Sequence, residues 1–283
     1  MKAITDTLGV SRSRQYAIQG KDDVFLKRRY YQRKDDSEYL LMIRQITDNR
    51  PTYGYRRITA LINRQRMQHG QTRINPKRIY RLLKIHGLLL PRYRGKPVRT
   101  HAGNIIMKRS NLRWCSDAFE IACWNGERVR SAFSMDCCDR EIMSYVATTG
   151  GICGDMIRDL MAESIEYRFG KVNRLPHRIQ WLSDNGPAYI ARETKNFAAM
   201  MGLEVCTTPY YSPESNGMAE SFVKTFKRDY VHINDLTDAV TVMKQLPEWF
   251  SDYNENHPHK GLKMMSPREY RKHQNKLVTC PVK

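Results

Sequence analysis

LRWCSDAFEIAC (112–123), RVRSAFSMDCC (128–138) and EIMSYVATT (141–149) succeed one another with little between them. Each is a short run with alternating apolar positions. NGE (125–127) supplies a turn between the first two, so the three read as antiparallel strands. A helical pattern over about 153–168 follows. Then come a strand in RIQWLSD (178–184), a helix from about 191 to 201, a strand in LEVCTTP (203–209) and a longer helix from near Pro213. Three antiparallel strands followed by alternating helix and strand predict an α/β domain, a mixed five-stranded sheet with flanking helices.

Three carboxylates fall at telling places in that order. Asp117 lies inside the first strand and by period two shares a face with Cys115, Phe119 and Ile121. An Asp on an apolar face costs several kcal/mol unless something neutralises it, and a metal ion would do so. Asp184 ends the fourth strand and precedes the turn signal Asn185-Gly186. Glu220 lies in SPESNGMAESFVKTFKRD (212–229), where Ser212, Pro213 and Glu214 read as N-cap, first helical residue and acidic first turn. At 100° per residue, Ala219, Phe222, Val223, Phe226 and Tyr230 make one side, expected to face the core. Glu220, Lys224 and Lys227 make another, with Asn216 one turn earlier. Each carboxylate alone has an ordinary reading: a backbone-bonded strand-end Asp, a turn Asp, a helix-surface ion pair. Their joint placement suits two divalent cations, and Mg²⁺ prefers oxygen donors of this kind.

The front of the chain carries the charge. Residues 1–110 hold 26 Lys/Arg against 7 Asp/Glu and residues 111–283 hold 22 of each, so the first part supplies 26 − 7 = 19, the whole net charge of +19. Such a field draws polyanions by counterion release. Within it, ITDTLGVSRSRQY (4–16) looks like the turn and second helix of a helix-turn-helix whose first helix would lie upstream, a partial motif over 1–18. From Ser37 to about Leu90 three helices are expected. The first carries Tyr39, Leu40, Met42, Ile43 and Ile46 at helical spacing; the second follows RPTYGYRRI (50–58); the third opens at Asn75-Pro76 and closes at Gly87. Basic residues on their outer faces, among them Arg56, Arg57, Lys77, Arg78 and Arg81, are candidate DNA contacts. PRYRGKPVRTHAGNIIMKR (91–109) reads as a basic linker between this module (37–90) and the sheet domain (110–255), with a tail at 256–283.

The seven cysteines include no CxxC pair and the eight histidines no zinc-finger spacing, so reduced thiols are expected. No apolar run approaches the ~20 residues of a membrane helix, and the N-terminus carries no signal-peptide pattern. A cytoplasmic, nucleoid-associated protein with no membrane partner is the expectation.

WCSDAFE (114–120), WLSDNG (181–186) and the 212–229 string together resemble the DDE active site of insertion-sequence transposases, a branch of the retroviral-integrase superfamily. RPTYGYRRI, INPKRIYRLLKIHGLL (74–89) and YNENHPHKGLKMMSPREY (253–270) extend the likeness over roughly residues 37–275. The resemblance implies an RNase H-like core. It makes Asp117 a bridging ligand to two Mg²⁺ ions, with Mn²⁺ as a substitute, and Asp184 and Glu220 the outer ligands. Lys227 fills the family's basic position seven residues after the Glu. It also implies that Lys224, Lys227 and Asn216 position DNA, while Asp136, Asp139 and Glu120 stand outside the catalytic set. Expected partners are the element's terminal inverted repeats, target DNA, an upstream reading-frame product fused by frameshifting, and further copies of the chain in a synaptic complex. Two other readings remain beside it: a sequence-specific DNA-binding regulator with an inert core, and a nuclease of RNase H type.

Overall fold

The computed structural model describes residues 36–91, 107–207 and 216–279. The half-motif at 4–16, most of the 91–109 linker and the Ser212 cap lie outside them. The chain divides into two compact units, Met1–Leu41 and Met42–Lys283. Helix α1, Ser37–Asn49, begins in the first and continues in the second.

Everything that positions the site belongs to the second unit. Its sheet has the order β3-β2-β1-β4-β5. Strands β1 (Arg113–Ala122), β2 (Arg128–Asp136) and β3 (Ile142–Thr148) pair antiparallel, as their short connections require. Gly126, at φ +90°, makes the turn between the first two. Strands β4 (Ile179–Ser183) and β5 (Leu203–Thr207) run parallel to β1, and their crossovers carry helices α4 (Gly154–Phe169), α5 (Pro187–Ile190) and α6 (Arg192–Met201). This is the RNase H-like arrangement expected.

Side-chain parity sends the two faces to different cores. Cys115, Phe119, Ile121, Phe133 and Met135 pack with Phe222 and Phe226 of α7 (Gly217–Asp229) and with Leu246, Trp249, Phe250 and Tyr253 of α8 (Ala239–Asn256). Trp114, Ala132, Trp181 and Leu203 face the other way, onto Ile157, Leu160, Met161 and Ile165 of α4 and Ala198 of α6. Because β2 is covered on both sides, its inner residues are buried without alternation.

Helices α2 (Tyr55–Gln68) and α3 (Pro76–Ile85) pack through Ile58, Ile62, Ile79, Leu82 and Leu83, all buried. Asn75 caps α3 by accepting from the Lys77 amide at 2.9 Å, with Pro76 at the first helical position. The front helices do not stand apart from the core. Arg50 Nη2 meets Asp252 Oδ2 at 2.6 Å, Arg57 Nη1 meets Asp229 Oδ2 at 2.8 Å, and Arg64 grips Glu269 through two nitrogens at 2.6 Å each. Tyr53 Oη and His257 Nδ1 share a buried hydrogen bond of 2.9 Å. Glu269 belongs to helix α9, Pro267–Thr279. That helix is also tied to the sheet: Arg268 Nε and Arg271 Nη1 meet the buried Glu141 at 3.1 and 2.9 Å, and Arg168 joins Glu141 to Asp139. Burial alone would raise the Glu141 carboxyl, but Arg168, Tyr167 and Arg271 hold it below the usual carboxylate range.

Candidate active site

Strand register brings the first two carboxylates together. Trp114 pairs with Trp181 and Cys115 with Leu182 across β1 and β4. Two residues further along each strand come Asp117 and Asp184. By the alternation of side chains they share the face of Cys115 and Leu182, the face that α7 covers. Glu220 lies in the first turn of that helix. A side chain on the sheet, one just past its neighbouring strand and one on the covering helix therefore point into the same region.

Asp117 is half-buried between Cys115 and Phe119 and accepts from the Ala118 amide at 2.8 Å. Burial pushes its carboxyl up to about 6; the Ala118 N–H opposes this, and the charges of Asp184 and Glu220 add to it. Asp184 is exposed, and its Oδ1 accepts from the Gly186 amide at 3.0 Å, the Asx turn that Asn185-Gly186 announced. Glu220 is half-buried, with Lys224 Nζ at 3.7 Å.

Two ties beneath these groups had no signal in the sequence. Ser116 Oγ and Tyr189 Oη share a buried 2.8 Å hydrogen bond, fastening the segment after Asp184 to the strand of Asp117. Asn216, a DNA-positioning candidate, is buried instead, and its Nδ2 donates to the Ser116 carbonyl at 3.2 Å, while its buried Oδ1 has no partner among the described residues. Both pairs join residues far apart along the chain, and no local pattern marks such contacts.

The remaining candidates separate into groups. Lys224 is exposed and Lys227 partly so, on the Glu220 side of α7. Arg56 is exposed, its guanidinium 5.6 Å from the Tyr55 ring centroid. Lys77 is exposed at the start of α3, whereas Arg78 and Arg81 further along that helix are partly buried. Arg57 turns inward, to Asp229 and over the Tyr53 ring at 5.1 Å. Asp136 and Asp139 are fully buried: Asp136 accepts from the Asn111, Cys138 and Asp139 amides, and Asp139 from Arg168.

Among the described residues, no three His, Cys, Asp or Glu side chains stand close enough to enclose an ion as they are arranged. The donor set of Asp117, Asp184 and Glu220 nonetheless fits a hard divalent cation. It offers carboxylate oxygens only, gathered near enough for two of them to disfavour ionisation of the third, with the orphaned Asn216 Oδ1 beside the same strand.

Family models and curated relatives give the same frame. Residues 107–213 and 201–267 each match a family described as Integrase core domain, and residues 33–97 match an HTH-like domain. The chain is 47% identical over 270 residues to Transposase InsD for insertion element IS2D of Escherichia coli (strain K12), covering 94% of this chain and 89% of that protein. It is 46% identical over 273 residues to the Insertion element IS2A uncharacterized 48.2 kDa protein of Escherichia coli, covering 95% of this chain and 64% of that one. Among solved structures, the catalytic core domain of BIV integrase aligns at a TM-score of 0.41 and 15% identity, over 60% of this chain and 99% of that one. With this identity over nearly its whole length, and an integrase core behind an HTH-like domain, the chain belongs to the insertion-element transposases of the DDE/integrase superfamily.

Proposed function

We propose that this chain cleaves the ends of an insertion element and joins the freed 3′-hydroxyls to DNA by phosphodiester transesterification. Asp117, Asp184 and Glu220 would hold two divalent cations, Mg²⁺ with Mn²⁺ as a substitute. The observation that carries the reading is Asp117. It is a half-buried carboxylate whose ionisation is opposed by burial and by Asp184 and Glu220, an arrangement that divalent cations relieve. When bound, such a pair would supply activation of the attacking oxygen and stabilisation of the leaving oxygen in an in-line displacement.

The chain's own groups supply the rest. Asp117, on the central strand, would take part in holding both cations, with Asp184 and Glu220 completing the set. The Ser116–Tyr189 bond holds the Asp184 segment against β1, and Asn216 fastens the start of α7 to the same strand. Lys224 and Lys227 offer cations to phosphates beside Glu220. The module of α1–α3 and the basic segment 91–109 bind the element's terminal repeats. We further propose that the chain works in a synaptic complex with other copies and as a fusion to an upstream product. The longer 48.2 kDa relative supports the fusion.

The test is strand cleavage and joining on end-bearing duplexes. Asp117→Asn and Glu220→Gln abolish both while leaving retention of the duplex largely intact; normal joining by either variant refutes the assignment.

A further inference from the structure

A groove of about 1220 Å³ runs between α2, the start of α3 and the chain from Lys260 to His273. Its cations come from three separate stretches: Arg56, Arg73, Lys77, Lys260, Lys263 and Lys272. Glu269, its acidic lining residue among those described, is already gripped by Arg64. Between the cations the lining is mixed, with Thr59, Asn63, Gln68 and Asn75 beside an aromatic and apolar floor of Tyr55 and Tyr80, edge to face at a centroid distance of 5.2 Å, Met67 and Met264.

The backbone at the C-terminal wall is unusual. Lys263 and Met264 are both left-handed, at φ 55° and 65°, a conformation that non-glycine residues adopt only where the surroundings impose it. The turn is held by the Met264 amide donating to the His259 carbonyl at 2.8 Å and the His259 amide to the Met265 carbonyl at 3.1 Å. Both residues line the groove.

The charge selects a polyanion. Duplex DNA shows phosphates but keeps its base faces stacked inside, so the Tyr and Met surface would go unused. An unpaired strand presents both phosphates and base faces, the two features that cationic grooves with aromatic floors match. We propose that this groove is a binding site for single-stranded DNA, with phosphates on Lys260, Lys263, Lys272 and Lys77 and bases over Tyr55 and Tyr80. The site joins the tail of the chain to the HTH-like module in one nucleic-acid surface. It deepens the DNA-processing reading above and rests on it.

Fluorescence anisotropy of the full chain with a labelled oligothymidylate, titrated across salt concentrations, tests it. Charge reversal at three exposed positions, Lys260→Glu, Lys263→Glu and Lys272→Glu together, is expected to weaken binding at least about tenfold. It should also reduce the log–log salt slope by about 2, since each single-strand phosphate contact counts for about 0.7. A duplex of the same length should lose less. Tyr80→Leu keeps the charges, so it should weaken binding of the oligothymidylate severalfold and leave inorganic polyphosphate, which has no bases, bound as before. Unchanged single-strand affinity in the triple variant, an equal loss for the duplex, or an equal loss for polyphosphate in Tyr80→Leu overturns the proposal. Asp117→Asn binds the oligothymidylate like the parent chain, so cleavage surviving that substitution would remove the catalytic reading and leave the groove result standing.

Discussion

A methyl group on Gly186 would meet Asp184 Oδ1 at 3.0 Å and the Tyr189 ring at 3.4 Å. The glycine is there for space, since the Asx turn brings its backbone against the carboxylate it orients. Gly186→Ala is expected to keep the thermal midpoint near that of the parent while lowering strand cleavage about tenfold, because shifts of less than an ångström at reacting groups are costly. Parent-like cleavage would show that the Asp184 turn plays no part in the chemistry. Arg57 behaves differently from its sequence reading as a DNA contact. Arg57→Ala removes a charge-assisted bond from the buried Asp229 and should cost about 1–3 kcal/mol in urea denaturation. The turn at Asp184 and the place of Asp117 within its strand were legible because a turn signal and side-chain parity mark them locally. Arg57, Asn216 and Tyr189 were not, because their partners lie 172, 100 and 73 residues away.

Elements were read well wherever periodicity was strong. The apolar side of α7, with Ala219, Phe222 and Phe226 buried, is the side its spacing assigned to the core, and α3 opens at Asn75-Pro76 as its cap chemistry required. The docking of α9 was invisible, since it rests on Glu141, an acidic residue at the start of an apolar strand whose three arginine partners come from two distant helices. Glu141→Gln takes away the charge shared by the buried Arg168 and the partly exposed Arg268 and Arg271, and is expected to destabilise the chain by about 1–3 kcal/mol, read by denaturant unfolding. The His257-Pro258-His259 segment adds a pH dependence. Burial lowers the His259 imidazole to about 3, with Arg140 and Arg57 adding to the effect, and holds His257 well below its usual value. A depressed folded-state pKa means that the unfolded chain takes up protons first, so the contribution is complete above about pH 6.5 and is lost as pH falls toward 3. Thermal midpoints measured from pH 7 to pH 4 should fall, and His259→Phe should make that fall shallower; an identical slope in the variant would exclude His259 as a source.

At the scale of the whole molecule, strand order and composition carried the architecture: three hairpin-linked strands, two parallel additions and a cationic front. They did not show that residues 42–90 fold into one compact unit with the core, because that union depends on ion pairs between Arg50, Arg57 and Arg64 and residues at 229, 252 and 269. A metal dependence follows from the reading of the acidic cluster. Chelation with EDTA is expected to stop cleavage while filter-retained DNA stays bound, and either Mg²⁺ or Mn²⁺ should restore it; cleavage persisting in excess chelator would contradict a cation-dependent step.

Helix α7 carries Glu220 near one end and Asp229, gripped by Arg57 of α2, at the other. Nine residues of α-helix span about 13.5 Å, and such a rod barely compresses along its axis. A shift of α2 at Arg57 therefore reaches Glu220 along a single helix, with no loop between them to absorb it.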